Sequence, residues 1–576
     1  MSQNDLKILK TWDNGKTIED GRYTLSIPFK TGRPYLPDNR IVAENRLKML
    51  GKRLDRNEDQ REKYIKEIHK LFEKGYAEEV PPEDMKRADG KVWYLPHHPI
   101  KNPKKPDKTR VVFDCASKFK GFSLNDYANQ GPDLAKKVSR FLLRFREGAI
   151  AFMADIEAMF HQVKVIPDDR DVLRFLWFED DDTRRPLVTY RVTSHLFGGV
   201  WSPSCANYAL QHVTKEFKEE YPQAVLNTVL RNFYVDDCLK SVKTLETAVP
   251  LANQVIHLLH RRGFNLTKFV SNSPLLMNNI SKERWVKSFT TLDISLDKLP
   301  TECALGMLWN TESDNFRFNI QIKNKPRTRR GVLSTLNNVY DSFGYVSPFI
   351  LKARRLFQQL CRLRTGWDDS LPKDLEEQWG RWMRDLPIIK EFSIPRCIIP
   401  IDKCIRLFQL HHFFDASEYG FGAVSYLLTI YEDQTASVHL MMAKSRLTPL
   451  KGSTIPRLEL AGALEAVRLD KLLQEEMEMP LEESVYWTDS TIVLWYLQSS
   501  GKRFQTYASN RVAKILELTQ WRHVPTSENP GDDASRGMSA KELVSDERCC
   551  KGPRFLYSDL SSWPRQPALY RTRKDG

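Results

Sequence analysis

The feature that most constrains this chain is a pair of adjacent aspartates, Asp236 and Asp237, between the apolar stretches Phe233–Val235 and Cys238–Leu239. The pattern predicts a turn between two strands. Desolvating two neighbouring carboxylates is costly unless positive charge neutralises them. Hard divalent cations with oxygen ligands are the usual neutraliser, and two of them suit in-line phosphoryl chemistry at a polynucleotide end. Taken alone, the pair fits a solvated turn equally well. A second apolar strand candidate, Ile150–Asp155, also ends in an acid. A glycine-rich stretch and a predicted helix from Ser202 to about Glu220 separate the two strand candidates.

Further along lie more acids in an ordered set. Asp415 falls on a predicted strand in HHFFDASEYGFGAVSYL, and Glu459 in the first turns of an amphipathic helix in IPRLELAGALEAVRL. Asp489 ends a strand in YWTDSTIVLWYL, where Ser490 is placed to cap the next helix. ENPGDDASRG then supplies Asp532 and Asp533 ahead of a small-residue segment. Each acid is ordinary by itself. Their order on β, α, β and α elements is not.

Lys plus Arg is 88 against 74 acids, a net charge of +14 that favours polyanionic partners, nucleic acid first. With 41% hydrophobic and 28% charged residues, the 576-residue chain is no disordered polymer, and its length suggests about four structural units. No window reads as a membrane span, and the acid-containing start Met1–Trp12 does not read as a signal peptide. The nine cysteines show no CxxC and no zinc spacing, so they read as thiols of a reducing compartment. Residues 1–40 are expected to be irregular with one strand at Tyr23–Phe29. One or two amphipathic helices should run from Ile41 to Gly75, and one long helix over Val332–Leu363. An αβ pattern starts at Leu407 and runs to about Arg536. A basic tail, 541–576, reads as a linker. Phosphate-binding candidates between the two acid sets are Lys323, Lys325, Arg327, Arg329 and Arg330, then Lys352, Arg354 and Arg355; Tyr340, Phe343 and Tyr345 read as core.

FYVDD resembles the YxDD box of reverse transcriptases, and other blocks stand in the expected order: RVVFDCASK, ADIEAMFHQV, LFGGVWSPS and GFNLTKF. The phrases LNDYANQGPDL, ADIEAMFHQ, GFNLTKFVSNS, LGMLWN and YDSFGYVSP resemble polyproteins of BEL/Pao-type long-terminal-repeat retrotransposons over roughly residues 20–570. That resemblance implies an α+β right-hand polymerase (fingers, palm, thumb) with a connection, followed by an α/β RNase H-like domain. The implied boundaries are 1–90 for an N-terminal extension, 91–270 for fingers and palm, 271–400 for thumb and connection, 401–540 for the RNase H-like domain, and 541–576 for a linker toward an integrase.

The same resemblance implies the roles. Asp155, Asp236 and Asp237 would be catalytic metal ligands, and Asp415, Glu459, Asp489 and Asp532 a ribonuclease H set, with two Mg²⁺ per centre and Mn²⁺ as a substitute. Asp533 stays open as the alternative fourth ligand. Phe160 matches a steric gate against the 2′-hydroxyl. Arg110 and Lys268 would meet the incoming triphosphate, together with one of Lys101, Lys104 and Lys105, of which Lys105 is chosen. Two departures stand out: Phe197 where many retroviral enzymes carry Gln, and Ser527, with His523 four residues earlier, near the place of a loop histidine. Partners would be an RNA template, DNA primer and product, the RNA–DNA hybrid and dNTPs, in cytoplasmic particles. The alternative is a host-retained or degenerate copy that binds nucleic acid without catalysis.

Overall fold

The computed structural model describes residues 1–87, 89–102, 105–134, 137–290, 301–400, 402–498, 506–515 and 520–566. Lys104 lies outside them, and of Lys101 and Lys105 only the backbone is described. The chain forms two compact units: one of residues 1–136, 154–238 and 249–269, the other of residues 137–153, 239–248 and 270–576.

The first unit opens with a helix, Gln3–Gly15, where irregular structure was expected. The local cause is a capping box: Ser2 accepts from the Asp5 backbone while the Asp5 carboxylate accepts from that of Ser2. Ile8 and Trp12, one turn apart, are buried. The strand expected at Tyr23–Phe29 is instead a hairpin of Thr17–Glu19 and Arg22–Leu25. Its turn residues Asp20 and Gly21 both have positive φ, 50° and 75°, the two-residue geometry that Asp-Gly favours. The helical periodicity of Ile41–Gly75 resolves into two helices, Arg40–Leu54 and Glu58–Glu73, the second capped by Asn57. An antiparallel pair, His97–Asn102 with Lys105–Phe113, carries Arg110. Beside it His97 packs among Tyr64, Phe113, Phe175 and Trp177, and its ring nitrogens meet Tyr64 Oη at 2.6 Å and the Leu176 carbonyl at 2.9 Å.

A four-stranded sheet has the order Phe233–Tyr234, Asp237–Val242, Ile150–Ile156, Leu266–Ser271. Its end in the first unit carries Asp155, Asp236, Asp237 and Lys268.

In the second unit the single helix expected over Val332–Leu363 is two, Arg329–Leu336 and Ser347–Arg362. The break is chemical: the half-buried Asp341 carboxylate accepts the backbone N–H groups of Gly344, Tyr345 and Val346 at 2.8, 3.0 and 2.9 Å. Burial pushes that carboxyl up to about 6 despite those three bonds. Phe343 and Tyr345 are core, as expected, whereas Tyr340 is 40% exposed.

The dominant element of this unit is a five-stranded mixed sheet ordered Ala436–Leu447, Gly420–Tyr431, Ile405–Ala416, Leu481–Thr488, Trp521–His523. The first three strands are antiparallel and the last two run parallel to the Asp415 strand. Long strands with nearly continuous burial show that both faces are covered. The helices Ile455–Glu476 and Pro530–Arg536 pack on the sheet.

Residues 541–566 are not a linker. They continue this unit with short helices, Ala540–Ser545 and Glu547–Lys551, and two single turns. Phe555 and Trp563 pack on Trp487 at 4.9 and 5.5 Å between ring centroids, and the Tyr426 hydroxyl donates to the Cys549 carbonyl at 2.9 Å. Net basic composition hid these apolar anchors, which bury only against the far side of the sheet. Residues 567–576 of the expected tail lie outside the described residues.

Candidate active sites

In the first unit the turn joining Phe233–Tyr234 to Asp237–Val242 consists of Val235 and Asp236, with Tyr234 opposite Asp237. Val235 has φ of 56°, a conformation that costs a β-branched residue free energy and persists only where the surroundings impose it. The Ile156 amide donates to the Asp236 carbonyl at 2.9 Å, which places the turn beside the strand that bears Asp155. Burial and the neighbouring Asp155 raise the Asp236 carboxyl, while Lys268 and Arg110 pull it back. Asp237 is pushed up to about 7 by burial, Asp236 and Asp155 together. Three carboxylates thus repel one another in a partly desolvated corner, a donor set that fits hard divalent cations.

Lys268 Nζ stands 2.7 Å from Asp155 Oδ2, so the cation already in this corner is a lysine ammonium. Its backbone is left-handed (φ 55°) inside a strand, which is a further local strain at the same place. Among the described residues no three acids converge closely enough to grip an ion with their present side-chain positions. Arg110 is exposed on its strand, and its charge reaches Asp236.

Phe160 is buried in the short turn Met159–Gln162, and Phe197 lies against it with ring centroids 4.5 Å apart. The Phe197 departure therefore supplies the gate candidate with an aromatic neighbour, itself 41% exposed. Gly198, which follows, has φ of 114°, and a Cβ there would stand 2.2 Å from the Phe113 carbonyl oxygen. Only glycine lets these segments approach so closely.

The second acid set lies wholly within the second unit. Ser535 Oγ donates to Asp415 Oδ2 at 2.6 Å, and Ser490 Oγ donates to Glu459 Oε2 at 2.7 Å. Ser490 also accepts from the Val493 amide at 3.3 Å, the capping role expected of it. Asp415 is pushed up to about 6 by burial and by Asp489 and Asp532, against the Ser535 bond. Glu459 is raised by burial and by Asp489, against the Ser490 bond. The four acids thus share one electrostatic neighbourhood. A Cβ on Gly531 would stand 2.6 Å from the Phe414 carbonyl carbon, so glycine allows the Asp532 helix to sit on the Asp415 strand.

The Asp532–Asp533 ambiguity divides by surroundings. Asp532 acts on Asp415 and pairs through Oδ1 with Arg536 Nε at 2.5 Å. Asp533 pairs instead with Arg548 at 2.7 Å, and burial, offset by Arg548, holds it at about 6.

The family described as "Pao retrotransposon-like RNaseH-like domain" matches residues 328–490. Residues 328–490 thus resemble a Pao-type retrotransposon domain. That segment contains Asp415, Glu459 and Asp489 and ends at residue 490, so Asp532, on the helix Pro530–Arg536, lies outside it. No curated protein matches the chain. Solved structures that resemble it are foamy viral protease-reverse transcriptases. One, a dRH form in complex with ds DNA, is 14% identical with a TM-score of 0.52 and covers 91% of this chain and 79% of that one. A complex with RNA/DNA hybrid gives 13%, 0.51, 91% and 61%, and a complex with dsDNA 13%, 0.51, 91% and 94%. At such identity the likeness speaks for the fold: that of a retroviral reverse transcriptase, with an RNase H-like domain.

Several residues around the second acid set were not legible as its neighbours. Thr526 Oγ1 donates to Asp489 Oδ2 at 2.6 Å, and Asn529 Nδ2 contacts Asp489 Oδ1 at 3.3 Å and the Phe414 carbonyl at 3.1 Å. Thr526 and Asn529 thus make the loop's contacts to Asp489. Ser527 instead gives its carbonyl to Arg548, at 2.8 Å, and His523 contacts Gln566 through its backbone. Arg548 could not have been found from spacing, because it lies in the segment read as a linker.

Proposed function

We propose that this chain is an RNA- and DNA-templated DNA polymerase joined to a ribonuclease H, serving retrotransposon replication within cytoplasmic particles. The carrying observation is that one chain holds two separate groups of carboxylates: burial and neighbouring acids raise Asp236 and Asp237 at a strained hairpin, and Asp415 and Glu459 on and beside a mixed sheet. Such repulsion is an expense unless cations and a phosphodiester complete each group.

Asp155, Asp236 and Asp237, and separately Asp415, Glu459, Asp489 and Asp532, would each hold two Mg²⁺ (or Mn²⁺), which supply Lewis acidity at the primer 3′-hydroxyl and at the scissile phosphate. The chain's own residues do the rest. Arg110 offers a permanently charged fork to the incoming triphosphate, with Lys105 on the same strand. Lys268, which stands on Asp155, would offer its ammonium to the triphosphate. Phe160, backed by Phe197, closes the space a 2′-hydroxyl would need. Thr526 and Asn529 hold Asp489 in orientation, and Ser490 and Ser535 do the same for Glu459 and Asp415.

The test is primer extension on a 5′-labelled RNA template with dNTPs and Mg²⁺, following DNA growth and template shortening together. Both signals, abolished by EDTA, are expected from the wild type. Asp236→Asn should lose growth and keep shortening, and Asp489→Asn the reverse. Equal loss of both activities in either variant would refute the two-centre reading. Neither signal from a folded chain that still binds the hybrid would favour a non-catalytic nucleic-acid-binding protein.

A further inference from the structure

We propose that a groove on the second unit, beside Asp532, binds the phosphate backbone of a polynucleotide strand. It lies between the helices Ser347–Arg362 and Lys373–Asp385 and the end of Pro530–Arg536, with a volume of about 520 Å³. Four cations line it, Lys352, Arg355, Arg381 and Arg536, against one acid, Asp385. A solvated protein face usually interleaves the two signs, and four cations to one acid make a local field that attracts a polyanion.

The cations are held in different ways. Arg355 is stacked over the Tyr419 ring, 3.4 Å from its centroid, and Tyr419 lies in the turn that follows the Asp415 strand. Lys352 is only 3.9 Å from Glu542, a loose pair. Arg381 is exposed and has no hydrogen bond or ion pair among the described residues. Arg536 links the groove to the acid centre, because its Nε stands 2.5 Å from Asp532 Oδ1 while its side chain lines the groove. A phosphate in the groove therefore competes with Asp532 for this guanidinium. Filling the groove frees the carboxylate just as a strand arrives beside it. Guanidinium groups suit this role, since they meet phosphate oxygens with two parallel bonds. The proposal rests on reading Asp415, Glu459, Asp489 and Asp532 as a nuclease centre, and it adds where the strand is held and how its arrival is coupled to Asp532.

The experiment measures binding of the full chain to fluorescein-labelled RNA/DNA hybrid, duplex DNA and single-stranded RNA by anisotropy, in EDTA and across a salt series. The wild type is compared with Arg381→Gln and Lys352→Gln. One lost phosphate contact should weaken binding at 0.1 M salt about eightfold on the duplex probes and about fivefold on single-stranded RNA, from slopes of about 0.9 and 0.7 per contact, regardless of base sequence. The slope of log affinity against log salt should shrink by about 1 for each variant. A loss on DNA-containing probes alone, or on RNA-containing probes alone, supports the proposal and names the strand. Unchanged affinity and slope in both variants on all three probes would overturn it. Because binding is read in EDTA, its result stands whether or not the wild type cleaves, and an inactive wild type in the primer-extension test would refute the nuclease reading alone. Active wild type with unaltered binding in the variants would refute the groove alone.

Discussion

Replacing Arg548 by Ala removes a cation from the second unit that no sequence pattern ties to the acid centre. Its guanidinium reaches Asp533 Oδ2 at 2.7 Å and the Ser527 carbonyl at 2.8 Å, so it ties together the Asp532 helix and the loop that carries Thr526 and Asn529. The two side chains of the pair are 28% and 15% exposed. Breaking a buried pair typically costs about 3–5 kcal/mol, and partial solvent screening lowers this to about 2 kcal/mol here. At about 1.4 kcal/mol per decade that is roughly a thirtyfold rise in the opened population of residues 526–551. Amide hydrogen exchange of that segment reads the change directly, without needing the whole chain to unfold as one. The Mg²⁺ needed for half-maximal template shortening should rise, primer extension should be untouched, and Arg548→Lys should recover part of the loss. The pH dependence has a definite sign. Asp533 titrates at about 6 when folded against an ordinary 3.8, so the folded form holds the extra proton between those values and the carboxyl weakens folding as pH rises through that window. Arg548 opposes this by favouring the charged form. Its removal must therefore hurt more at pH 8 than at pH 5. Equal exchange in wild type and variant at pH 8, or a defect that grows in acid, would refute the reasoning.

Phe160→Ala should let ribonucleotides into the extension product, and Phe197→Ala should do so more weakly, since it removes the ring 4.5 Å from Phe160; wild-type rNTP incorporation in Phe160→Ala would remove the gate assignment. Thr526→Val keeps side-chain volume but deletes the 2.6 Å bond to Asp489, and should reduce template shortening by about tenfold or more while leaving extension intact, about 1.5–3 kcal/mol for a bond to a charged group. Glu476 is 2% exposed and pairs with both Arg140 and Arg144, so Glu476→Gln should destabilise the second unit by about 3 kcal/mol, seen as a lower midpoint in urea. Trp563→Ala strips an aromatic partner from Trp487, and a loss of about 3 kcal/mol with faster proteolysis of residues 541–566 would mark that segment as part of the fold.

Legibility followed the range of the interactions. Helical periodicity marked Arg40–Leu54 and Glu58–Glu73 because burial on one helix face repeats every turn. The apolar-flanked acids announced the Val235–Asp236 turn. Two further signals were local and went unread: the Ser2–Asp5 capping box that starts the first helix, and the Asp20–Gly21 turn. The break between Arg329–Leu336 and Ser347–Arg362 was harder. Apolar spacing continues across it, and only Asp341 gathering three backbone N–H groups stops the helix.

What the sequence determined by itself was the ordered acids and the small residues that let them approach: Asp155, Asp236 and Asp237 around a hairpin, then Asp415, Glu459, Asp489 and Asp532. These are chemical types at local positions, and strand, turn and cap preferences act over a few residues. Tertiary structure alone decided what each acid faces. Thr526 meets Asp489 across 37 residues, Ser535 meets Asp415 across 120, and Arg548, in a segment that composition marks as a basic tail, pairs with Asp533 while Asp532 pairs with Arg536. Such partners are chosen by how strands and helices pack, because a buried carboxylate accepts whichever donor the packing brings within about 3 Å, and no periodicity in the chain records that distance.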